Sequence, residues 1–430
     1  MIKAIRYISV LLLAMAGCFS ANASKEFSLD DCKQLALANN AKIRNAIANV
    51  EAAKEDKRQA FTAYFPTVSA TGFAYTTNNG LVSLDLRPIV EFDLLKNGYG
   101  GGISAVMPIF AGGQIYNTNR LAETGVEVNR LFLEQSRHEV ELTTEQYFWQ
   151  IVGLQEKERT IAAVEEQLDR LDDDVSTAVD AGIALRNDLL KVQLKKNEIE
   201  SMKSNLDNNL AVCKMLLAQY AGLDSADFEL KAAIDMDSVP DFPFNLRRDH
   251  DSALPETPEY RLLEQNVEAG RLEYRKELGK NLPSLFAGAS YSAWHNQLFD
   301  MDHDFGMLFA TVSIPISGWW GGSHAMKKKK IQMENAQREL NDKSDLLKIK
   351  MQKSWVDFEN AYKQLSIAHK SIAQSAENLR LNNDYYRAGT IATSDLLDAI
   401  TMAQQSRDKY VEAFSAFQTK KLEYMQAVGM

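Results

Sequence analysis

Two proline-free stretches with sustained heptads, two pairs of short alternating segments, and one phrase written twice predict the fold class of this chain. It reads as an α+β membrane protein built by internal duplication. A trimeric outer-membrane β-barrel, with four strands per chain, is continued by a long α-helical coiled-coil barrel in the periplasm. The repeated phrase is "DAGIALRNDLLKV" at Asp180 and "RAGTIATSDLLDA" at Arg387, 207 residues apart (387 − 180). The same offset relates Pro108 to Pro315, Gly182 to Gly389, Asp188 to Asp395 and Gly222 to Gly429. From Ala181 onward the two halves align without a gap.

The rods come first. Between Gln114 and Val179 one seven-residue column is apolar throughout: Leu133, Val140, Tyr147, Leu154, Ile161, Leu168, Val175. From about Ser323 to Tyr386 a second column runs Met351, Phe358, Leu365, Ile372, Leu379, Tyr386. Heptads sustained over this distance mean coiled-coil packing, and at 1.5 Å per residue each rod is about 100 Å long. Each rod meets the repeated phrase and turns into a shorter helix, about Ala184–Ala221 and Ile391–Val428. In the last helix Leu396, Ile400, Ala403, Tyr410, Phe414, Phe417, Tyr424 and Val428 keep the 4,3 spacing. Gly182 and Gly389 stand where the chain must reverse, a position needing positive φ. Asp188 and Asp395 fall in the first turn of the return helices, where a carboxylate suits the dipole. The phrase is the tip of a helical hairpin. Two further helices fit, Ser28–Thr62, opened by a Ser28/Asp31 capping box, and Pro258–Gly279, opened by a proline suited to a first turn.

The strands follow from a change of period. "PTVSATGFAYTT" from Pro66, "GISAVMPIF" from Gly102, "PSLFAGASYSAW" from Pro283 and "MLFATVSIPI" from Met307 alternate roughly residue by residue. About ten residues is the length of an outer-membrane strand. In the last, Leu308, Ala310, Val312, Ile314 and Ile316 share one face. A long loop, Thr77–Gly101, joins the first pair, and a shorter loop around "HNQLFDMDHDF" joins the second. Four strands leave open edges that lipid does not tolerate, so they must close with other copies. Three copies give twelve strands, wide enough for an aqueous lumen. The alternative is an exported, non-channel coiled-coil scaffold of the cell envelope with small β-caps.

The domain plan is therefore a leader at 1–23, a first repeat at 24–222 (helix, strand, strand, long helix, short helix), a connector at 223–257 carrying Pro240, Pro243 and Pro255, and a second repeat at 258–430. The leader has a positive start at Lys3 and Arg6, an apolar run from Ile8 to Ala16, and Ala21-Asn22-Ala23 as a small-x-small cleavage site. "AMAGC" also reads as a lipobox, which would make Cys18 a lipidated first residue. Both routes take the protein out of the cytoplasm.

Composition narrows the partners. The 430 residues are 45% hydrophobic and 25% charged, which excludes a disordered chain, and a mean hydropathy of −0.29 excludes a bundle of membrane helices. The net charge of −10 becomes −12 once Lys3 and Arg6 leave (−10 − 2), which argues against nucleic acid. Cys32 and Cys213 read as unpaired buried thiols. His295 and His303 share a loop with Asp300, Asp302 and Asp304, read as an acidic outward loop rather than a metal site. No catalytic triad, phosphate loop or zinc motif is present, so neither an enzyme nor a cofactor is expected. Trp294, Trp319 and Trp320 are candidates for an interfacial belt. Lys327–Lys330 wrap a helix start, where they either meet phospholipid head groups or lie on a solvated face.

The order of elements, "PIFAGGQIYN" at Pro108, "PISGWWGGSHA" at Pro315 and the two Gly…Asp-Leu-Leu tips resemble the TolC-like outer-membrane efflux proteins. "LDDCKQLALANN" resembles their first-helix signature, with Ala41 where a proline is common. The resemblance covers essentially the whole mature chain. It implies a homotrimeric channel-tunnel without catalysis, seated in outer-membrane lipid, docking tip-first on a periplasmic adaptor and an inner-membrane pump of RND or ABC type. It also implies an aperture at the second tip, formed by Asp395, Asp398 and Tyr386, with Gly182, Asp188, Gly389 and Thr390 meeting the adaptor. The arginine that the family places two residues after the tip glycine is Ile391 here, so the inherited salt-bridge lock lacks its arginine at that position.

Overall fold

The computed structural model describes residues 25–78, 82–86, 90–94, 97–296, 301–316 and 318–430. The leader at 1–23 with Cys18, and Asp300, lie outside the described residues, as do the side chains of Asp302, His303 and Trp319. In chain order the elements are β1 (Lys25–Phe27), α1 (Leu29–Asn39), α2 (Ala41–Thr62), β2 (Thr67–Thr76), β3 (Val82–Leu86), β4 (Val90–Leu94), β5 (Asn97–Ala111), α3 (Gln114–Asp180) and α4 (Arg186–Ala221). They continue with β6 (Phe228–Leu230), α5 (Pro258–Gly279), β7 (Ser284–Asn296), β8 (Met301–Ser313), α6 (Gly318–Arg387) and α7 (Thr393–Ala427). Two compact units emerge: one holds the described residues up to Asn45, Glu134–Leu254 and Lys348–Met430, the other Ala46–Leu133 and Pro255–Leu347.

The second unit contains an antiparallel sheet in the order β2-β5-β7-β8. The pairing register sorts its side chains into two unlike faces. One carries Val68 and Ala70, Ile103 and Ala105, Leu285, Ala287, Ala289 and Tyr291, and Leu308, Ala310 and Val312. The other mixes serine and threonine with aromatics: Ser69, Ser104, Ser290 and Thr311 stand beside Phe73, Phe286 and Phe309, and a Ser69–Ser104 hydroxyl contact at 3.0 Å crosses β2 and β5. Although apolar, the first face is bare: Leu308 is 87% exposed, and Val68, Ile103 and Val312 are exposed too. Along β7 the apolar face from Leu285 to Tyr291 runs about 23 Å along the strand, roughly 18 Å of height at the usual tilt of about 40°, which fits within the lipid band of roughly 25 Å of outer-membrane barrels.

Several expectations for this unit need correction. The segment 77–101 is not all loop: β3 pairs antiparallel with β4 inside it, and β5 begins at Asn97. β8 begins at Met301, six residues before Met307, and ends at Ser313. Ile314 and Ile316 therefore lie beyond the strand, because Pro315 has no N–H to extend the ladder. Trp294 falls on the face that also carries Ser290, Ser292 and Phe286, opposite Tyr291 and Ala293. His295 and Asp304 sit on strands rather than in a loop, His295 stacked on Tyr99 at 5.0 Å and Asp304 accepting the Tyr291 hydroxyl at 2.6 Å. Among the described residues no cluster has the makeup of a metal site.

The first unit is helical. Of the α3 column, Val140, Ile161, Leu168 and Val175 are buried, as are Met351, Phe358 and Leu365 of the α6 column. Periodicity placed them correctly. Ser28 caps α1 in the expected reciprocal arrangement: its hydroxyl accepts the Asp31 N–H at 3.2 Å, while its own N–H donates to the Asp31 carboxylate at 2.9 Å. The helix expected over Ser28–Thr62 is nonetheless two helices. Asn40 adopts extended backbone, ψ 132°. Asn39 and Asn40 donate side-chain amides to the free carbonyls of Ala221 and Tyr220 at the end of α4, each at 3.1 Å, and Asn40 Oδ1 accepts the Lys42 N–H at 2.9 Å. The break uses two asparagines as caps for two helix ends at once. The return helices start two residues later than expected, at Arg186 and Thr393, and α6 starts five earlier, at Gly318.

The connector is folded in rather than loose. β6 pairs in parallel with β1. Phe242 packs on Trp355, Phe358 and Tyr362 with ring centroids 4.9–5.5 Å apart, and the Tyr410 hydroxyl donates to the carbonyls of Asp235 at 2.7 Å and Ser238 at 3.0 Å. Burial of a side chain the size of Phe358 or Trp355 contributes about 2–3 kcal/mol. Cys32 and Cys213 are both buried and unpaired. Burial, aided by the Asp31 carboxylate, pushes the Cys32 thiol up to about 12.

Candidate gate and docking site at the hairpin tips

Both tips are built the same way. At the end of α3, Gly182 (φ +75°) donates its N–H to Val179 O at 2.9 Å, and Ile183 donates to Ala178 O at 2.9 Å. At the end of α6, Gly389 (φ +68°) donates to Tyr386 O at 2.9 Å, and Thr390 donates to Tyr385 O at 3.0 Å. This is the Schellman closure, in which a left-handed residue turns the chain and satisfies the last carbonyls. An added Cβ at either glycine meets nothing within 4 Å, so only the backbone dihedral requires glycine. Thr390 strengthens the second tip through its hydroxyl, which donates to Tyr385 O at 2.9 Å. Ile183, its counterpart, is 82% exposed.

The next turn is where the tips diverge. Asp188, in the first turn of α4, pairs with Lys191 at 3.1 Å and is three-quarters shielded. Asp395 holds the same place in α7, and its carboxylate accepts the Ala392 N–H at 3.3 Å. Alanine cannot return the favour with a side-chain acceptor, so only half a capping box forms. Where the first tip has Lys191, the second has Asp398. Among the described residues Asp398 has no ion-pair partner, and both aspartates are exposed. One tip is thus internally neutralised and the other presents two carboxylates one helical turn apart.

Tyr386 is half-buried and packs on a core of Ile161, Leu168, Val175, Val192, Leu396 and Ile400, which clamps the two hairpins together. Its ring is a structural contact here. Beside it lies an open groove of about 1040 Å³ between the tips. Ile183 and Leu185 line it from one side, Arg387 and Ile391 from the other. Ile391 is half-buried in the groove wall, where the family arginine would stand. Sequence reading missed the apolar exposure of the first tip: Ile183, Leu185, Leu190 and Leu194 are all bare, Leu185 at 70%. The signal was available, since "GIAL" puts two large aliphatics into a turn that has no core to bury them.

A sheet with a lipid-compatible face and two unpaired edges, in a chain of long paired rods that end in reversing tips, defines a protein of the membrane-channel class. Sequence comparison bears this out. The chain belongs to the outer membrane efflux protein family, which it matches over residues 33–223 and 250–430, so it is an outer-membrane efflux channel that extends into the periplasm. Against curated proteins nothing matches significantly. Among solved structures it is similar to the outer membrane protein VceC of Vibrio cholerae, with 14% identity, TM-score 0.76, and coverage of 93% of this chain and 96% of that one. The CmeC outer membrane channel of Campylobacter jejuni gives 15% identity, TM-score 0.81, and coverage of 93% and 85%. The open-state MtrE outer membrane channel of Neisseria gonorrhoeae gives 15%, 0.76, and coverage of 93% and 88%.

Proposed function

We propose that three copies close the sheets into one twelve-stranded barrel and that the hairpin tips form its periplasmic aperture and docking ring. The unpaired edges of β2 and β8 support closure, because exposed strand edges in lipid leave backbone groups unsatisfied. The two repeats, 24–222 and 258–430, then alternate around the tube, with 223–257 as the connector. The tips around Gly182, Asp188, Gly389 and Thr390 receive a periplasmic adaptor working with an inner-membrane pump. The bare aliphatics of the first tip suit such a contact, since exposed apolar patches mark interaction sites. Cargo passes through without chemistry by this chain.

The gate reading rests on the unequal tips. Asp188 is neutralised by Lys191, whereas among the described residues Asp395 and Asp398 have no cation partner. Threefold repetition places six carboxylates at one constriction, an arrangement that draws cations. With Ile391 in place of arginine, closure rests on the packing of Tyr386 rather than on a salt bridge, and the ring of acids sets which ions pass. Planar-bilayer recording of Asp395→Ala plus Asp398→Ala tests it. Cation selectivity and divalent block should both fall, and wild-type block and selectivity in the double variant would sink the aspartate-ring assignment.

A further inference from the structure

On the face of the sheet that carries Trp294, the aromatic rings lie over glycines. Directly opposite pairs put Phe73 and Trp294 on either side of Gly100, Tyr75 beside Gly98 and Phe309 beside Gly288. A Cβ added at Gly100 would stand 2.9 Å from Phe73 Cζ and 2.8 Å from Trp294 Cβ. One added at Gly98 would stand 2.7 Å from the Tyr75 hydroxyl, and one at Gly288 would run into Phe309 Cζ. The rings therefore fill space that only glycine leaves open. Rings from both outer strands lean inward, over β5 and β7, and so away from the edges that another copy closes. Phe73 and Tyr75 also stack on each other, centroids 6.4 Å apart and planes 23° apart. Every described side chain on this face is uncharged.

We propose that this face lines the barrel lumen and that Phe73, Tyr75 and Trp294, over their glycine floor, form a stacking site for an uncharged planar aromatic molecule. It rests on the barrel closure proposed above and not on the gate reading. The hydroxyls of Ser69, Ser104, Ser290 and Thr311 assign the side, because against lipid each would lose water without compensation. Leu308, Val312 and Ile103, on the other face, carry no such cost. Glycine at the alternate positions Gly98, Gly100 and Gly102 keeps the wall of β5 flat. Rings that lie along a flat wall present their faces, and a planar partner gains from offset stacking on them. Twelve strands about 4.8 Å apart, tilted about 40°, close at a backbone radius of about 12 Å. Three copies of the site then face one bore.

Other occupants fit less well. A hydrated metal ion finds no charged ligand among the described side chains of this face. Lipid acyl chains would strand its hydroxyls.

Planar-bilayer recording of the purified full-length oligomer tests the assignment, with β-naphthol, uncharged at neutral pH, or its saturated counterpart β-decalol added on the extracellular side. β-Naphthol should interrupt the current in discrete, concentration-dependent blocks, and β-decalol should not. An oriented aromatic pair is worth about 2- to 12-fold in affinity. Phe73→Leu plus Trp294→Leu, which keeps apolar bulk and removes two rings, should therefore raise the half-blocking concentration at least about fourfold. Trp294→Phe keeps a ring and should retain the block. Equal block of wild type by both compounds, a comparison that needs no variant, overturns the proposal, because apolar partition would then suffice. Unaltered block in the leucine variant overturns it too, as does absence of block in wild-type pores that conduct. A wild-type oligomer that forms no conducting pore defeats the closure reading itself, and the site falls with it.

Discussion

Converting the second tip to the charge pattern of the first is the sharpest test of the unequal-tip argument. Asp398→Lys places a lysine three residues after Asp395, as Lys191 follows Asp188 at 3.1 Å in the first tip. An exposed pair at this spacing is worth about 0.2–0.5 kcal/mol, too little to refold the hairpin. Its effect on the aperture is larger. Each chain changes by two charges, from −1 to +1, so three copies change the constriction by six. At about 10 Å, one Debye length at 0.1 M salt, each charge is worth about 0.15 kcal/mol to a passing cation in water, so six are worth about 0.9 kcal/mol. An anion gains what a cation loses, so the cation over anion permeability ratio falls by two factors of about five, roughly 20-fold. Reversal potentials across a salt gradient in planar bilayers measure the ratio directly, and the fall should shrink at 1 M salt. A ratio within error of wild type at low salt, in a variant that still assembles, refutes the placement of Asp398 on the axis.

Three further outcomes follow from particular contacts. Gly389→Ala forces a Cβ into positive φ without a clash, costing about 1–2 kcal/mol, and amide exchange at Thr390 should accelerate while the body of α6 is unchanged. Tyr410→Phe strips the donor from the carbonyls of Asp235 and Ser238; a loss of about 1–3 kcal/mol should lower the thermal unfolding midpoint. Asp408 is held above the usual carboxylate range by burial, with the Glu412 carboxylate adding to the effect and Lys157 opposing it. Its folded value is raised, so its contribution is fully favourable below the unfolded value of 3.8 and is lost as pH rises through the folded one. Asp408→Asn should therefore gain stability over the parent at pH 7 and lose that advantage near pH 3 in urea melts.

Much of this protein was legible in its sequence because the signals are local and periodic. The heptads of α3 and α6, the alternation of β2 and β7, and the tips at Gly182 and Gly389 each follow from a few neighbouring residues obeying a 3.5- or 2-residue period or a φ requirement. Even the difference between the tips is visible as Lys191 against Asp398. What tertiary structure alone decided involves partners far apart in the chain. The break at Asn40 depends on carbonyls of Tyr220 and Ala221, 180 residues away. β1 finds β6 across the whole first repeat, and Phe242 of the connector finds its pocket on Trp355 and Phe358 of α6. No period records such a pairing, since it rests on which surfaces remain unsatisfied once the rods have packed. The side taken by Trp294 belongs with these, because its aromatic character suits either face and only the register of β7 with β5 selects one. Sequence set the parts of a channel and their order, and packing between distant segments determined where the rods break, what pins the connector, and which side chains share each face of the sheet.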